Sequence, residues 1–212
     1  MNCCQCQGLE ETFSRDYVAG ELKDYRRKGA AKTTRILVDA LKAQDLKGLT
    51  LLDVGGGVGA VQYALLSDGI VSATDVDASA AYLEAAREEA ARRGLADRIT
   101  YEHGNFVEAA DRLSPADVVT LDRVICCYDD MHRLVASSSR LASRYYGVVY
   151  LRDTWWVRMG LAIGNFFLWL QRSKYRAFVH ATKDVEELIH ANGLKRRFHR
   201  QTFIWQVAVF SR

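Results

Sequence analysis

No part of this chain limits its possible folds as strongly as the segment Leu51-Leu52-Asp53-Val54-Gly55-Gly56-Gly57-Val58-Gly59. The apolar run that ends at Asp53 predicts a buried strand, and Gly55, Gly57 and Gly59 lead into a helix. Glycine lets the backbone approach a bound molecule where any side chain would collide. The segment therefore predicts the strand, loop and helix of a nucleotide-type binding site.

The glycine spacing alone leaves two cofactor classes open, because the loop and Ala60 also fit the looser dinucleotide fingerprint. Asp53 helps to separate the classes: a carboxylate directly before the loop accepts from an ammonium group but repels a pyrophosphate. Asp77 ends the next predicted strand and can accept two hydrogen bonds from a ribose diol. Asp75 is a weaker candidate, expected at a solvated strand edge. The acids favour S-adenosylmethionine over NAD.

Strands and helices are predicted to alternate on both sides of the loop. The pattern predicts a Rossmann-like α/β fold, with a seven-stranded, mostly parallel sheet, helices on both faces and an antiparallel C-terminal strand. The predicted strands are Thr50–Val54, Ile70–Val76, Ile99–Glu102, Val118–Val124 and Gly147–Leu151, with two more within Arg197–Phe210. The predicted helices between them are Val58–Leu66, Ser79–Arg93 and Met131–Ala142, and Thr182 caps a later helix.

The chain is expected to form one domain over residues 1–212, because it has a single proline and no linker-like stretch. Helical patterns over Leu9–Lys28 and Ala31–Gln44 predict an N-terminal helical cap within residues 1–46. Residues 155–180 form an apolar insertion after the fifth strand.

Two later segments make the pattern more specific: Gly104-Asn105-Phe106 and Ala116–Val124. Together with the glycine loop, they resemble the ordered motifs of class I S-adenosylmethionine-dependent methyltransferases, over about Thr50 to Asp153. The resemblance implies that Gly55, Gly57 and Gly59 border the cofactor and that Asp77 binds its ribose. It also implies that Asn105 and Phe106 flank the adenine, and that Asp122 and Arg123 lie beneath the methionine part.

The acceptor is expected beyond the carboxyl ends of the fourth and fifth strands. Methyl transfer from a sulfonium mainly requires alignment and exclusion of water, and a base is needed only for acceptors that arrive protonated. The candidate acid or base groups are Tyr128, Asp153 and His180. The candidate substrate-binding residues are Tyr25, Cys127, Tyr128, Trp155 and Trp156.

A more distant resemblance rests on Tyr25, the turn Val124–Tyr128 and the late aromatic insertion. These features are similar to the magnesium-protoporphyrin O-methyltransferase group, although this chain has Cys127 and Asp129 where that group tends to have His and Pro. Another small aromatic or carboxylate-bearing acceptor is therefore an equally open interpretation.

The stretch Trp155–Leu170 is strongly apolar, but it is shorter than the roughly 20 residues that span a bilayer. Three interpretations stay open: a lid over an aromatic substrate, a core or dimer helix, and an amphipathic helix on a membrane surface.

Charge and cysteine content bear on partners and location. The net charge of +3 is dispersed, which does not indicate nucleic-acid binding. The N-terminus lacks the apolar core of a secretory signal, so a cytoplasmic location with reduced cysteines is expected. Cys3, Cys4 and Cys6 match no zinc pattern, so we expect no metal and a thiol-bearing tail.

The sequence thus predicts an enzyme that moves a methyl group from S-adenosylmethionine to a small molecule and releases S-adenosylhomocysteine. A homodimer is compatible with this reading. Two alternatives stay open at this point: an NAD-dependent oxidoreductase, and a non-catalytic partner protein that keeps the fold.

Overall fold

Strands and helices alternate along most of the computed structural model, which describes residues 4–212, with side chains for residues 8–212. The strands are β1 (Thr50–Val54), β2 (Ser72–Asp77), β3 (Ile99–His103), β4 (Ala116–Asp122), β5 (Ala142–Leu151), β6 (Lys195–Gln201) and β7 (Trp205–Ser211). The helices are α1 (Cys4–Thr12), α2 (Arg15–Lys28), α3 (Lys32–Lys42), α4 (Ala60–Leu66), α5 (Ala80–Arg92), α6 (Phe106–Ala109), α7 (Met131–Leu141), α8 (Trp155–Leu170) and α9 (Thr182–Ala191).

Within residues 4–212, seven strands form one sheet in the order β3-β2-β1-β4-β5-β7-β6. The pairs β1–β2, β1–β4, β2–β3 and β4–β5 are parallel. Strand β7 lies antiparallel between β5 and β6. The predicted α/β class, the mostly parallel sheet and the antiparallel C-terminal strand are confirmed.

Each face of the sheet has its own hydrophobic core. Successive residues of β1 belong to different cores: Leu51 packs in the core that contains α3 and α4, and Leu52 in the core that contains α7 and α9. A strand covered on both faces needs apolar side chains on both. This explains why the central strands read as continuous apolar runs.

Helices α1 and α2 cover the carboxyl end of the sheet. The continuous helical pattern expected over Leu9–Lys28 is wrong at one point, because the helix is interrupted between α1 and α2. The Ser14 hydroxyl caps α2 by accepting from Tyr17 N at 3.4 Å. Helix α2 is attached to α5 through Glu89, a fully buried carboxylate that accepts from Arg26 Nε at 2.8 Å.

Two other local expectations are wrong. Helix α9 begins at Thr182, but Ala181 occupies the cap position and the Thr182 hydroxyl instead accepts from Gln206 Nε2 at 2.8 Å. Strand β4 ends at Asp122, because the positive φ of 65° at Arg123 turns the chain out of the sheet. In the part of the chain that the structure describes, no helix has the length and apolarity needed to cross a membrane.

Candidate active site

A cavity of about 910 Å³ opens at the carboxyl ends of the central strands. It lies where β1 is flanked by β2 on one side and β4 on the other, which is the point where α/β sheets of this kind bind ligands. The glycine loop forms one wall. Four residues of α1, α2 and the turn between them, called here the N-terminal roof, form another: Leu9, Phe13, Tyr17 and Glu21.

The glycines are required by contacts as well as by backbone conformation. Gly55 has a φ of 66°, and a Cβ there would lie 2.6 Å from Val124 Cγ2. Gly56 is required by a contact as well, since a Cβ there would lie 2.7 Å from Asp75 Oδ1. The loop therefore packs closely against Val124 and Asp75, and its residues form one wall of the cavity.

Three buried carboxylates lie at this loop, and two of them accept from its amides. Asp53 accepts from Thr120 Oγ1 at 2.6 Å and from Gln62 Nε2 at 3.2 Å. Asp75 accepts from Gly56 N at 3.2 Å. Asp77 accepts from Gly57 N at 3.2 Å and Ser79 N at 2.8 Å. The solvated edge expected for Asp75 is wrong, because its side chain is completely buried. Asp53 and Asp77 also line the cavity.

Burial raises the pKa of all three acids. The pKa of Asp53 rises to about 7, that of Asp77 to about 6, and that of Asp75 well above its usual range. Among the described residues, Asp75 Oδ2 and Gln62 Oε1 are buried without a hydrogen-bond partner. This concentration of acids fits a ligand with positive charge and a hydroxyl pair, and it disfavours a pyrophosphate.

The residues expected around the adenine are only partly in the wall. Phe106 and Gly104 line the cavity. Asn105 instead caps α6 by accepting from Val107 N at 3.0 Å, and its Oδ1 also accepts from the Tyr128 hydroxyl at 2.9 Å. The adenine role of Asn105 stays a prediction, and its amide oxygen already has two partners.

Asp122 and Arg123 lie in the cavity wall at the end of β4. The Thr34 hydroxyl donates to Asp122, and Arg123 Nε approaches the same carboxylate at 3.4 Å. Arg123 adopts a left-handed conformation that is uncommon outside glycine and costs energy, often at functional sites. The strained turn directs a guanidinium group towards the cavity.

The three candidate acid or base groups have different positions. Tyr128 lines the cavity. His180 lies behind it, with Nε2 at 2.8 Å from the Tyr128 carbonyl oxygen, and burial lowers its pKa. Asp153 accepts from Arg158 Nε at 2.5 Å. Neither Asp153 nor His180 is among the lining residues.

The candidate substrate-binding residues also separate. Cys127 and Tyr128 line the cavity. Tyr25 packs against Tyr63, with ring centroids 6.4 Å apart, and lines a smaller neighbouring pocket of about 320 Å³. Trp155 is 70% exposed, and Trp156 packs beneath the Arg152 guanidinium. Both tryptophans lie outside the cavity wall.

Sequence reasoning missed much of the wall. Phe13, Tyr17 and Glu21 recur every four residues, and that spacing could have identified a common helical face. No local signal marks Tyr175 or Trp205, which reach the cavity from distant segments.

The adjacent thiols of Cys126 and Cys127 line the cavity, next to Tyr175. Cys126 Sγ and Cys127 Sγ are 3.9 Å apart, and the Tyr175 hydroxyl lies 3.3 Å from Cys127 Sγ. The hydrogen bond from Cys126 lowers the pKa of the Cys127 thiol.

Metal binding finds no support in the described side chains. Within residues 8–212, no group of three His, Cys, Asp or Glu side chains could hold a metal ion. The expectation of a thiol-bearing tail at Cys3, Cys4 and Cys6 concerns side chains outside the described ones.

The sheet order, the antiparallel β7 and the acid-supported glycine loop define the class of protein: a class I S-adenosylmethionine-dependent methyltransferase. Comparison with known families is specific. The O-methyltransferase domain family matches residues 6–147, which is more than half of the chain. The chain belongs to this family, whose cofactor is S-adenosylmethionine.

Solved structures show the same fold. Magnesium protoporphyrin IX methyltransferase from Synechocystis PCC 6803, with bound S-adenosylhomocysteine, has a TM-score of 0.69 at 21% identity, covering 95% of this chain and 99% of that one. An O-methyltransferase family 2 protein from Planctomyces limnophilus, in complex with apigenin, has a TM-score of 0.67 at 19% identity, covering 93% of this chain and 61% of that one.

Curated relatives align over shorter stretches. The ribosomal protein L11 methyltransferase of Deinococcus radiodurans is 33% identical over 111 residues, covering 51% of this chain and 39% of that protein. The Pseudomonas fluorescens protein of the same name is 38% identical over 71 residues, covering 34% and 24%. The chain thus spans less than half of the length of these relatives.

Proposed function

We propose that this methyltransferase acts on a small aromatic molecule that carries a carboxylate or another anionic group, with oxygen as the methyl acceptor. The observation that carries the proposal is the cavity itself. Its volume of about 910 Å³ lies near the upper end of the range of roughly 300–1,000 Å³ for ligand sites. That volume supports a second, smaller molecule beside the cofactor.

The wall away from the glycine loop supports an aromatic acceptor with a negative charge. Its aromatic members are Phe13, Tyr17, Tyr175 and Trp205. Its cationic members are Lys23, Arg27 and Arg123, of which Arg27 is paired with Asp24 at 2.8 Å. Rings offer flat apolar contact, and guanidinium groups pair with carboxylates through two parallel hydrogen bonds. Among the described residues, the only hydrogen bond of the Arg123 guanidinium is the 3.4 Å contact with Asp122, so most of its donors are available.

The chemistry asks little of the protein beyond alignment. When bound, S-adenosylmethionine supplies an electrophilic methyl group on a good leaving group. The glycine loop and Asp77 would hold the ribose end, while the N-terminal roof would exclude water. A carboxylate arrives already deprotonated and needs no base, whereas a hydroxyl acceptor needs one.

Tyr128 is the proposed acid or base candidate that lines the cavity. We assign His180 a positioning role, because it contacts the Tyr128 carbonyl at 2.8 Å and is not among the residues that line the cavity. We assign Asp153 to the support of α8 through its ion pair with Arg158.

A methyl-transfer assay with labelled S-adenosylmethionine tests the acceptor class. Aromatic hydroxy acids are compared with their uncharged amides, and label is expected on the acids. Arg123→Gln should raise KM for the acids at least tenfold and leave KM for the amides unchanged, whereas Arg158→Gln, a change outside the cavity, should alter neither. Equal KM values for acids and amides in the unmodified protein would refute the anionic acceptor.

The two other functions weighed from the sequence are distinguished by different observations. The family match and the acids around the loop leave the NAD-dependent oxidoreductase without support. A non-catalytic partner protein would bind S-adenosylhomocysteine but label nothing in a metabolite extract. A labelled product in that extract would exclude it.

A further inference from the structure

Helix α8 presents an apolar face to the outside of the molecule. Its large apolar side chains recur every three or four residues, and each of them is 52–70% exposed. They are Trp155, Met159, Ile163, Phe166, Phe167, Trp169 and Leu170, called here the α8 face. No charged residue lies among them on this side of the helix; Arg158, at its edge, is paired with Asp153.

The orientation of α8 is fixed from the inner side. Val157, the one residue of the helix that is buried, packs with Cys126 and Leu151. Asn165 donates to the Ala177 carbonyl at 2.7 Å and accepts from Ala177 N at 3.0 Å. A rotation of α8 that buried the exposed face would break these contacts. The contacts therefore keep this face exposed.

The apolar surface continues beyond the helix. Phe203 is 79% exposed and Ile204 is 39% exposed, in the turn between β6 and β7. Arg152, just before α8, donates to the carbonyls of Thr202 and Phe203 at 3.1 and 3.2 Å. This turn is thereby fixed beside the start of α8.

The segment that contains α8 carries basic residues and no acidic ones. Residues 154–183 contain none of the 26 acidic residues of the chain and five of its 29 basic ones. The basic residues are Arg158, Arg172, Lys174, Arg176 and Lys183. Three of the five pair with acids outside the segment: Arg158 with Asp153, Lys174 with Glu11 and Lys183 with Glu187. The positive charge of the segment itself complements the negative surface of an anionic membrane, where each nearby Lys or Arg contributes about 1 kcal/mol.

The length of the helix fits a position in a membrane surface rather than across a membrane. Helix α8 has 16 residues and is about 24 Å long, whereas a helix that spans a bilayer needs about 20 residues. A surface helix with an apolar face and basic neighbours buries that face in the lipid interface without a partner of matching shape.

We propose that the α8 face lies in the surface of a membrane that contains anionic lipids. The aromatic side chains insert at the level of the lipid headgroups, and the basic residues of the segment contact the headgroup phosphates. Tyr175 belongs to the same acid-free segment and lines the cavity, so the membrane-facing segment also contributes to the cavity wall.

Vesicle flotation with the full chain tests this proposal. The protein is expected to float with vesicles of an equal mixture of phosphatidylcholine and phosphatidylglycerol, and much less with phosphatidylcholine alone. Phe166→Ser combined with Trp169→Ser should weaken the partition at least tenfold. The control, Val71→Ser, removes a side chain that is 49% exposed outside the segment and should have no effect.

Unchanged affinity for S-adenosylhomocysteine shows that each variant is folded. Fluorescence of the unmodified protein gives an independent test, because brominated lipids should quench Trp155 and Trp169. Absence of both flotation and quenching would overturn the proposal. A dimer in solution that the double variant converts to monomer, without vesicle binding, would overturn it in favour of a second copy.

Discussion

Gly55→Ala tests whether the glycine loop must pack against the turn that follows β4 to form the cofactor site. Gly55 has a φ of 66°, and a left-handed conformation costs a residue with a side chain about 1–2 kcal/mol. The new Cβ would also lie 2.6 Å from Val124 Cγ2, and overpacking of this kind costs about 1–3 kcal/mol. The expected loss of unfolding free energy is therefore about 2–5 kcal/mol.

Two other glycines separate strain from the clash with Val124. Gly94 has a φ of 69° with no atom within 4 Å of an added Cβ, so Gly94→Ala introduces the backbone strain alone. Gly57 has a φ of 57°, and the nearest atom, in the Tyr82 ring, would be 3.8 Å away. Gly57→Ala thus introduces the same strain inside the loop.

The assays are urea denaturation and calorimetric titration with S-adenosylhomocysteine. Val124 lines the cavity, so Gly55→Ala should lower the affinity for S-adenosylhomocysteine at least tenfold, which is about 1.4 kcal/mol of binding free energy. Adding Val124→Ala should recover part of the stability and of the affinity. If Gly55→Ala and Gly94→Ala caused equal losses, or if Val124→Ala recovered nothing, the reasoning from the clash would be refuted.

The buried acids and the α2–α5 attachment give three more expected results. Affinity for S-adenosylhomocysteine should rise with pH through about 6, because the pKa of Asp77 is raised to about 6 and only its ionised form accepts from both ribose hydroxyls; a flat calorimetric profile would contradict this. Asp75→Asn should stabilise the unliganded protein more at high pH than at low pH, in thermal melts. The raised pKa of Asp75 means that its contribution to stability is complete below the unfolded pKa of about 3.9 and is lost as the pH rises through the folded pKa, so an equal gain at all pH values would refute the assignment. Glu89→Gln should lower the unfolding free energy by about 1–3 kcal/mol in urea titrations, while the exposed Glu88→Gln should change it by less than about 1 kcal/mol. The hydrogen bond from Arg92 lowers the pKa of Glu89 to about 2, so this stabilisation is present above about pH 4.3 and is lost as the pH falls towards 2; similar losses in both variants would contradict the buried role.

The sheet could be predicted because its signals are local. Continuous apolar runs, glycines after β1 and carboxylates at strand ends each depend on a few neighbouring residues. The burial of Asp75 was not predicted, although a signal for it existed. Residues two apart in a strand share a face, so Asp75 points to the same side of the sheet as Asp77. The Asp75 side chain is buried beneath the glycine loop, where it accepts from the Gly56 amide.

The remainder of the site depends on distant parts of the chain. The position of the N-terminal roof is set by packing of α2 on α5, which helical spacing does not indicate. The inner side of α8 could not be read from periodicity, since apolar residues occur almost all round the helix. Asn165 and Val157 determine the orientation through contacts with Ala177, Cys126 and Leu151.

The attachment of the N-terminal roof has a consequence for how fast ligands leave. Besides apolar packing, the roof helices are joined to the rest of the domain by ion pairs that are partly open to solvent: Arg15–Glu84, Arg26–Glu88 and Lys174–Glu11. Dissolved ions screen such pairs, while the buried contacts under the roof persist. Salt should thus loosen the N-terminal roof without disturbing the glycine loop. Ionic strength should therefore change the dissociation rate of S-adenosylhomocysteine more than its equilibrium affinity.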